Sequence, residues 1–155
     1  MSQYMEFYVG KGDTLIELNS FSRNSSIYRL FYESNSVSYE KVRQITANEV
    51  ATTVEYIADE IKHLKKNKKE AIKELERLYK ATGDFYKNDE VHQTYENINA
   101  YIEEVKEDIK ADKIALRFAE VFYDMVKDAI YIDDEVKYYF GIESGTNPEI
   151  KKTES

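Results

Sequence analysis

Two long tracts of this chain repeat apolar residues at alternating steps of three and four positions. The first tract carries them at Val50, Val54, Ile57, Ile61, Leu64, Ala71, Leu75 and Leu78, and Lys68 is its one polar member. The second carries them at Val91, Tyr95, Ile98, Ile102, Val105, Ile109, Leu116, Ala119, Tyr123, Val126 and Ile130, and Asp112 is its exception. This spacing puts a narrow apolar seam on each of two α-helices. Two consecutive helices of this kind predict an antiparallel coiled-coil hairpin.

Start and stop signals bound both helices. Thr46 and Glu49 form a capping box, in which each side chain accepts a hydrogen bond from the other residue's backbone amide. The first helix is expected to end near Gly83, because glycine readily takes the left-handed conformation that follows a helix. Asn88 opens the second helix.

The two tracts differ in charge. Residues 62–80 contain eight basic and three acidic side chains, and residues 89–113 contain three basic and eight acidic ones. Folding the hairpin near residue 85 sets the basic tract along the acidic one, and flanking charges of opposite sign favour that pairing. We therefore expect the lysines at 62–69 to stabilise this chain rather than to bind nucleic acid, since the carboxylates opposite would repel phosphates.

The residues before these tracts indicate a β-hairpin and a short helix. Met5, Phe7 and Val9 alternate with more polar residues, residues 10–13 supply a turn, and residues 14–18 resume an extended pattern. The stretch IYRLFYE then follows a serine cap and has helical spacing. Residues 34–45 stay ambiguous and are compatible with a third short strand.

Past residue 114 the second helix has an apolar face that is too wide for a two-helix seam. Its members are Leu116, Phe118, Ala119, Val121, Phe122, Met125, Val126, Ala129, Ile130 and Ile132. We expect the N-terminal hairpin and short helix to cover this face. A last helical turn is predicted at 134–140, and residues 143–155 are expected to form a flexible tail.

Together these elements predict an α+β fold that is mostly helical. A head holds the N-terminal β-hairpin and short helix packed on a long C-terminal helix, and an antiparallel coiled-coil helical hairpin projects from it as a stalk. Residues 1–142 form a single domain, with the head at 1–45 plus 114–142 and the stalk at 46–113.

Composition narrows the classes of function. The chain has no cysteine, which excludes thiol catalysis and cysteine–zinc sites, and it shows neither a signal-peptide pattern nor a membrane span. We expect a cytoplasmic protein. His63 and His92 fall far apart along the predicted hairpin, so no metal site and no cofactor are expected. No catalytic constellation stands out, and we expect a protein that is not an enzyme.

The surplus negative charge lies outside the two charged tracts. Residues 1–61 and residues 114–155 each sum to −4, whereas residues 62–113 sum to zero. Acidic residues repeat every four positions late in the second helix and continue beyond it, beside several tyrosines. The candidate partner-binding residues are Glu120, Asp124, Asp128, Tyr131, Asp133, Asp134, Glu135, Tyr138 and Tyr139.

A second candidate site is the polar loop before the short helix. Ser22, Arg23, Asn24 and Ser25 offer hydroxyls, amides and a guanidinium near a helix N-terminus, which suits an anion or a phosphorylated ligand. The alternative interpretation is a loop in which a serine caps the helix and the arginine pairs with a carboxylate.

The layout resembles small accessory proteins of phages that infect Gram-positive bacteria. The resemblance covers most of the chain and depends on the hairpin strands, SFSRNSSIY at 20–28, SYEKVRQIT at 38–46 and the charged helical hairpin. It implies a phage-encoded, host-modulating protein in the host cytoplasm. Such proteins include inhibitors of bacterial defence, among them anti-CRISPR proteins that occupy nucleic-acid channels.

The hypothesis that follows is a non-enzymatic acidic protein-binding module that inhibits a host defence protein. Its partner would be a protein with a basic surface, such as a CRISPR nuclease or another nucleic-acid-binding defence protein, and neither nucleic acid nor a membrane is an expected direct partner. One alternative is a structural or assembly coiled coil that self-associates as a homodimer. Another is a binder of a small phosphorylated ligand or nucleotide.

Overall fold

The computed structural model of the chain describes residues 3–37, 41–81, 89–143 and 149–150. Its elements in chain order are β1 (Tyr4–Lys11), β2 (Thr14–Ser22), α1 (Ser26–Ser34), β3 (Lys41–Gln44), α2 (Ala47–Ala81), α3 (Asp89–Ile132), β4 (Lys137–Glu143) and β5 (Glu149–Ile150). The predicted α+β class is confirmed, with an antiparallel sheet at the N-terminus and long helices.

The five strands form one sheet in the order β2-β1-β4-β3-β5. β1 pairs antiparallel with both β2 and β4, β3 pairs antiparallel with β4, and β5 lies parallel to β3. The predicted N-terminal hairpin is confirmed, and Gly12 in its turn has a φ of 63°, a conformation that glycine adopts without steric cost. The ambiguous segment at 34–45 does contain a strand, β3.

Side-chain caps begin two of the helices. The Ser25 hydroxyl accepts a hydrogen bond from the Tyr28 amide at 3.2 Å and so caps α1. At the start of α2, the Glu49 amide donates to the Thr46 hydroxyl at 3.3 Å and the Thr46 amide donates to the Glu49 carboxylate at 3.1 Å. The predicted capping box is therefore present, and Arg43 lies 2.8 Å from the same carboxylate.

The core beside the sheet is centred on Phe7 of β1. Five aromatic rings lie with centroids 5.0–6.1 Å from its ring, and they come from β2, α1, α3 and β4: Phe21, Phe31, Phe118, Phe122 and Phe140. Most of these contacts are edge-to-face, the arrangement that the aromatic quadrupole favours. Phe7 thus contacts side chains of its two neighbouring strands and of both α1 and α3.

The segment after α3 departs from the sequence prediction. A helical turn was expected at 134–140, but residues 137–143 form β4, which lies between β1 and β3. Phe140 and Ile142 are buried, at 0% and 2% exposure, on the sheet face that also carries Phe7. A short apolar run fits a helix or a buried strand equally well in sequence, and pairing with strands on both sides decides in favour of the strand here.

The described residues divide into two compact units. The first unit contains Met1–Ile57 and Ile114–Ser155, and the second contains Ala58–Lys113. The sequence interpretation began the stalk at residue 46, whereas the first eleven residues of α2, 47–57, belong to the first unit. β5 falls inside the segment expected to be a tail, and residues 144–148 and 151–155 of that segment lie outside the described residues.

In the second unit, burial follows the predicted period. Ile61, Ile102, Val105 and Ile109 are at most 7% exposed, and the remaining apolar seam positions of this unit are half-buried. Residues 72–80 of α2 and 95–106 of α3 line one groove of about 410 Å³, so the two helices adjoin there. The two polar exceptions differ, since Lys68 is half-buried and Asp112 is 1% exposed.

Several ion pairs of the second unit lie within a single helix. They join Arg77 with Glu74, His92 with Glu96, and Lys106 with Glu103. The lysines at 62, 65, 66 and 69 are exposed, and none of them forms an ion pair within the described chain. These four lysines are therefore not held by a direct salt bridge in the described chain.

Candidate functional site

Three carboxylates form an exposed line on α3. Glu120, Asp124 and Asp128 follow one another at intervals of four residues, which brings them onto one side of the helix. All three are exposed, and none is ion-paired in the parts of the chain that the structure describes. We call these three residues the acidic face. Their charges are therefore available to a partner.

Part of the acidic face lines a groove between the start of α2 and α3. The groove is lined by Ala51, Val54 and Glu55 of α2 and by Arg117, Glu120, Tyr123 and Asp124 of α3. The groove has a volume of about 360 Å³ and lies wholly within the first unit. With three carboxylates, one arginine and several apolar side chains in its lining, the groove is a net negative cleft. It suits the long side chain of an arginine or a lysine, whose stem is apolar and whose tip is cationic.

Two basic residues lie near the acidic face without forming ion pairs in the described chain. Arg117 is exposed and lines the same groove as Glu120 and Asp124. The Lys127 ammonium lies 5.3 Å from the centre of the Tyr123 ring, a cation–π contact. Residues 114–135 contain six acidic and two basic side chains, so this part of the molecule stays strongly negative.

The acidic residues after the helix have a different environment. Asp133 accepts a hydrogen bond from the Lys11 ammonium at 2.6 Å and another from the Glu135 amide at 3.0 Å. The Lys11 hydrogen bond, with help from that amide, lowers the pKa of Asp133 below its ordinary value. Glu135 lies 3.8 Å from the same ammonium, while Asp134 is exposed in the turn. Lys11 thus compensates part of this charge.

The tyrosines assigned to the acidic surface are not brought together. Tyr131 is 86% exposed at the end of α3 and remains a surface residue. Tyr138 and Tyr139 lie in β4 and point to opposite faces of the sheet, because side chains alternate along a strand. The ring of Tyr138 packs against Phe122 at 5.7 Å, and Tyr139 lies close to Gly10 of β1. These two tyrosines were assigned to the surface because β4 had been predicted as a helical turn.

The polar loop at 22–25 serves mainly as a helix cap. The Ser25 hydroxyl donates to the Ser22 carbonyl at 2.8 Å, besides capping α1. The Arg23 amide donates to the Gln3 carbonyl at 3.1 Å. A groove of about 320 Å³ beside this loop is lined by Gln3, Arg23, Tyr28, Arg29, Tyr32 and Glu33. Of the four predicted ligand residues only Arg23 reaches that groove, and Asn24 is exposed in the turn.

No family model, curated protein or solved structure matches this chain. Among the described residues, no group of three potential ligands is arranged to hold a metal ion. None of the helices in the described ranges is long and apolar enough to cross a membrane. The geometry of the acidic groove is accordingly the main guide to function.

The sequence interpretation assigned only Glu120 and Asp124 of the groove to the candidate surface. Glu55 was not singled out because it lies next to the seam residue Val54, and Tyr123 was counted only as a seam residue. The expected fold point near residue 85 sets position 55 opposite position 116, so the register contained the signal. The sequence pattern does not show that α2 and α3 leave an open groove at these positions instead of a closed seam.

Proposed function

We propose that this chain is a non-enzymatic binding protein whose acidic face occupies a basic surface of a nucleic-acid-binding protein. The observation that carries the proposal is the groove in which Glu55, Glu120 and Asp124 converge without an ion pair in the described chain. Carboxylates held at a protein surface attract cationic partners and repel phosphates. A protein that binds phosphates through arginine and lysine side chains has such a cationic surface.

In the proposed mechanism this chain competes with nucleic acid for the basic side chains of the partner protein. A nucleic-acid channel holds its ligand largely through contacts between basic side chains and phosphates. The carboxylates spaced along α3 carry the same sign of charge as the phosphates. The bound chain would therefore take the place of the nucleic acid in that channel. Because long-range attraction steers such encounters, association is fast at low ionic strength and slows as salt screens it.

The resemblance to phage accessory proteins supports a biological setting for this mechanism. In that setting the chain is a phage-encoded inhibitor that acts in the host cytoplasm, and its partner is a host defence protein such as a CRISPR nuclease. The inhibitor needs no catalytic residue and no cofactor, because occupancy alone blocks the channel.

We further propose that residues 58–113 form an antiparallel coiled coil. The buried and half-buried positions of α2 and α3 in this unit recur at steps of three and four, as they do in heptad seams. The shared groove of residues 72–80 and 95–106 supports direct packing between the helices. The complementary charges of residues 62–80 and 89–113 favour pairing within one chain.

The direct experiment measures whether the full chain displaces nucleic acid from a purified guide-loaded CRISPR nuclease. Increasing amounts of the chain are added to the nuclease with labelled target DNA at low salt, and bound DNA is followed by fluorescence anisotropy. The expected result is loss of bound DNA, with competition that weakens as salt is raised. An unchanged anisotropy across a panel of such nucleases, with no complex detected at low salt, would count against the proposal.

A charge-matched pair of variants makes that experiment specific. Glu120→Lys with Asp124→Lys reverses two charges in the groove, whereas Glu104→Lys with Glu107→Lys reverses two exposed charges in the second unit. Both pairs change the net charge equally. Competition should be lost with the first pair and kept with the second. Equal loss with both pairs would mean that net charge, not the acidic face, drives binding.

Self-association is the second candidate function, and one observation favours it. Ile72 and Tyr101 remain 38% and 43% exposed in the second unit, although both are large apolar side chains. A homodimer formed through them would make the chain a structural or assembly factor. Light scattering at several protein concentrations tests this: a constant monomer mass excludes it, and a dimer that Ile72→Ser with Tyr101→Ser dissociates supports it.

A further inference from the structure

One side of α3 stays apolar and exposed within the first unit. Ile114, Val121, Met125 and Ile132 are 64%, 42%, 37% and 84% exposed. At about 100° per residue, all four fall within roughly 40° of one line along the helix. We call them the apolar stripe. It is about 27 Å long, at about 1.5 Å of rise per residue.

The sheet covers the neighbouring side of α3 but not the stripe. Phe118 is displaced from the stripe by roughly 40° around the helix, and its ring packs against Phe21 of β2 at 4.9 Å. β2 is the edge strand of the sheet, and none of the other described strands lies beyond it. The sequence interpretation expected the head to cover the whole wide apolar face. The head covers Phe118, Ala119, Phe122 and Ala129. The expectation was wrong for Val121, Met125, Ile130 and Ile132, which are exposed.

The spacing of the stripe identifies the shape of its occupant. Its members are separated by seven, four and seven residues, which is the interval of a and d positions in a heptad. Side chains with this spacing form the holes into which the apolar residues of a second α-helix insert. An extended segment would match this pattern poorly, because its side chains alternate with a period of two. The stripe therefore fits a helix.

The charge beside the stripe identifies the chemistry of that helix. Asp128 lies roughly 40° and Asp124 roughly 80° around α3 from the line of the stripe, with Glu120 further on the same side. Arg117 lies on the same flank at roughly 60°, so this flank of a helix packed on the stripe has a net negative charge, which would stabilise basic residues of the bound helix. We infer that the apolar stripe binds an amphipathic, lysine- and arginine-rich helix of the partner protein.

A second copy of this chain suits the stripe less well. Antiparallel pairing of two α3 helices centred on the stripe brings the same flank of each helix together, so the two Asp124 carboxylates would face each other, while Asp128 of each copy would lie near Arg117 of the other. Like charges in flanking positions of a coiled coil disfavour pairing. The net charge of −8 adds to this repulsion. Charge complementarity thus favours a basic partner over a second copy.

The inference rests on the proposed function and makes it more specific. A basic helix on the stripe would extend the contact from the groove of Glu55, Glu120 and Asp124 across the outer side of α3. The apolar contacts would add affinity that salt does not screen, whereas the acidic face would supply steering and orientation.

The test uses helical peptides as long as the stripe, added to the full chain. The first peptide has leucine at heptad a and d positions and lysine elsewhere. The second has the same composition with its leucines scattered around the helix, and the third replaces lysine with glutamate. Binding is measured by fluorescence anisotropy with wild type and with Val121→Ser plus Met125→Ser. Ile72→Ser plus Tyr101→Ser is the control, since it removes two apolar side chains of similar exposure in the second unit.

The expected result is that only the amphipathic lysine peptide binds wild type well, that the stripe variant weakens it by about tenfold or more, and that the control variant does not. Equal binding of the scattered peptide would overturn the inference while leaving the acidic face intact as a charge-based site. A wild-type dimer that the stripe variant dissociates would also overturn it, since the stripe would then be a self-interface. If this chain bound the amphipathic lysine peptide but did not displace DNA from nucleases, the proposed function alone would be refuted.

Discussion

The rings of Phe7 and Phe140 lie stacked across neighbouring strands, with centroids 6.1 Å apart and planes inclined by 22°. The two residues are direct partners in the register of β1 and β4. This pair links the first strand of the chain to the strand that follows α3. The pair helps to hold residues 137–143 in the sheet as β4, although the sequence of this segment resembles the end of a helix.

Phe140→Ala should therefore destabilise the protein strongly. Phe140 is fully buried, and its removal leaves a cavity among aromatic rings that cannot close fully, at an expected cost of about 3–5 kcal/mol in the free energy of unfolding. Tyr131→Ala is the control, because Tyr131 is 86% exposed and its removal should change stability by less than about 0.5 kcal/mol. Urea denaturation followed by circular dichroism measures both. Similar small effects for the two variants would argue against a strand at this position.

The capping box of α2 gives a second prediction. Thr46→Ala removes the hydroxyl that accepts a hydrogen bond from the Glu49 amide. Loss of such a cap lowers the free energy of unfolding by about 1 kcal/mol. Thr52→Ala is a suitable control, since the Thr52 hydroxyl only donates to the Asn48 carbonyl inside the helix. Its effect on the free energy of unfolding should be smaller. Equal losses would mean that the cap contributes nothing specific.

Glu6 and Glu49 should affect the pH dependence of stability in opposite directions. Burial raises the pKa of Glu6 above 4.5, with repulsion from Glu17 adding to the effect despite a hydrogen bond from the Tyr8 hydroxyl. For Glu49 burial also raises the pKa, but hydrogen bonds from Arg43 and Thr46 together outweigh it, and the pKa falls below 4.5. The folded chain thus holds the Glu6 proton more tightly and the Glu49 proton less tightly than the unfolded chain.

The signs follow from linkage between proton binding and folding. A raised carboxyl pKa makes stability fall as pH rises from about 4.5 through the raised value, so Glu6→Gln should remove that fall. A lowered pKa contributes stability that is present above about 4.5 and lost as pH drops through the folded value, so Glu49→Gln should flatten the acid side of the profile. Urea midpoints between pH 3 and 7 measure both. Changes of the same sign in the two variants would contradict these assignments.

Neighbouring residues of α3 test the seam in the second unit. Ile102 is 5% exposed, whereas Tyr101 is 43% exposed. Ile102→Ala should cost about 2–5 kcal/mol, because it removes a buried branched side chain. Tyr101→Ala should cost much less. If the two variants were equally stable by thermal denaturation, the helices would not pack along the predicted seam.

The sequence was informative where a periodic pattern extends over many residues. The seams of α2 and α3, the capping box at Thr46 and the N-terminal hairpin each combine a clear period with a specific start or turn residue. Short segments were harder to assign: β4 has no cap and no long period, and only pairing with β1 and β3 distinguishes it from a helical turn. Tyr138 and Tyr139, which were predicted for the candidate surface, are half-buried in this strand and point to opposite faces of the sheet.

The candidate site shows the same division. The intervals of four residues in the sequence correctly brought Glu120, Asp124 and Asp128 onto one side of α3. The contribution of Glu55 and the compensation of Asp133 by Lys11 depend on contacts between residues that are 65 or more positions apart in the chain. Periodicity within one helix carries no information on such contacts, because it describes which side a residue faces and not what lies opposite.

The acidic face is the centre of this account, and the rate of association tests it most directly. If the proposed function holds, stopped-flow mixing of the chain with a guide-loaded nuclease should give a rate constant that falls as salt rises. Glu120→Lys with Asp124→Lys should slow association by about tenfold or more at low salt, and Glu104→Lys with Glu107→Lys should change it by less than about threefold. A rate that ignores salt, or one that both pairs of variants reduce equally, would contradict the account.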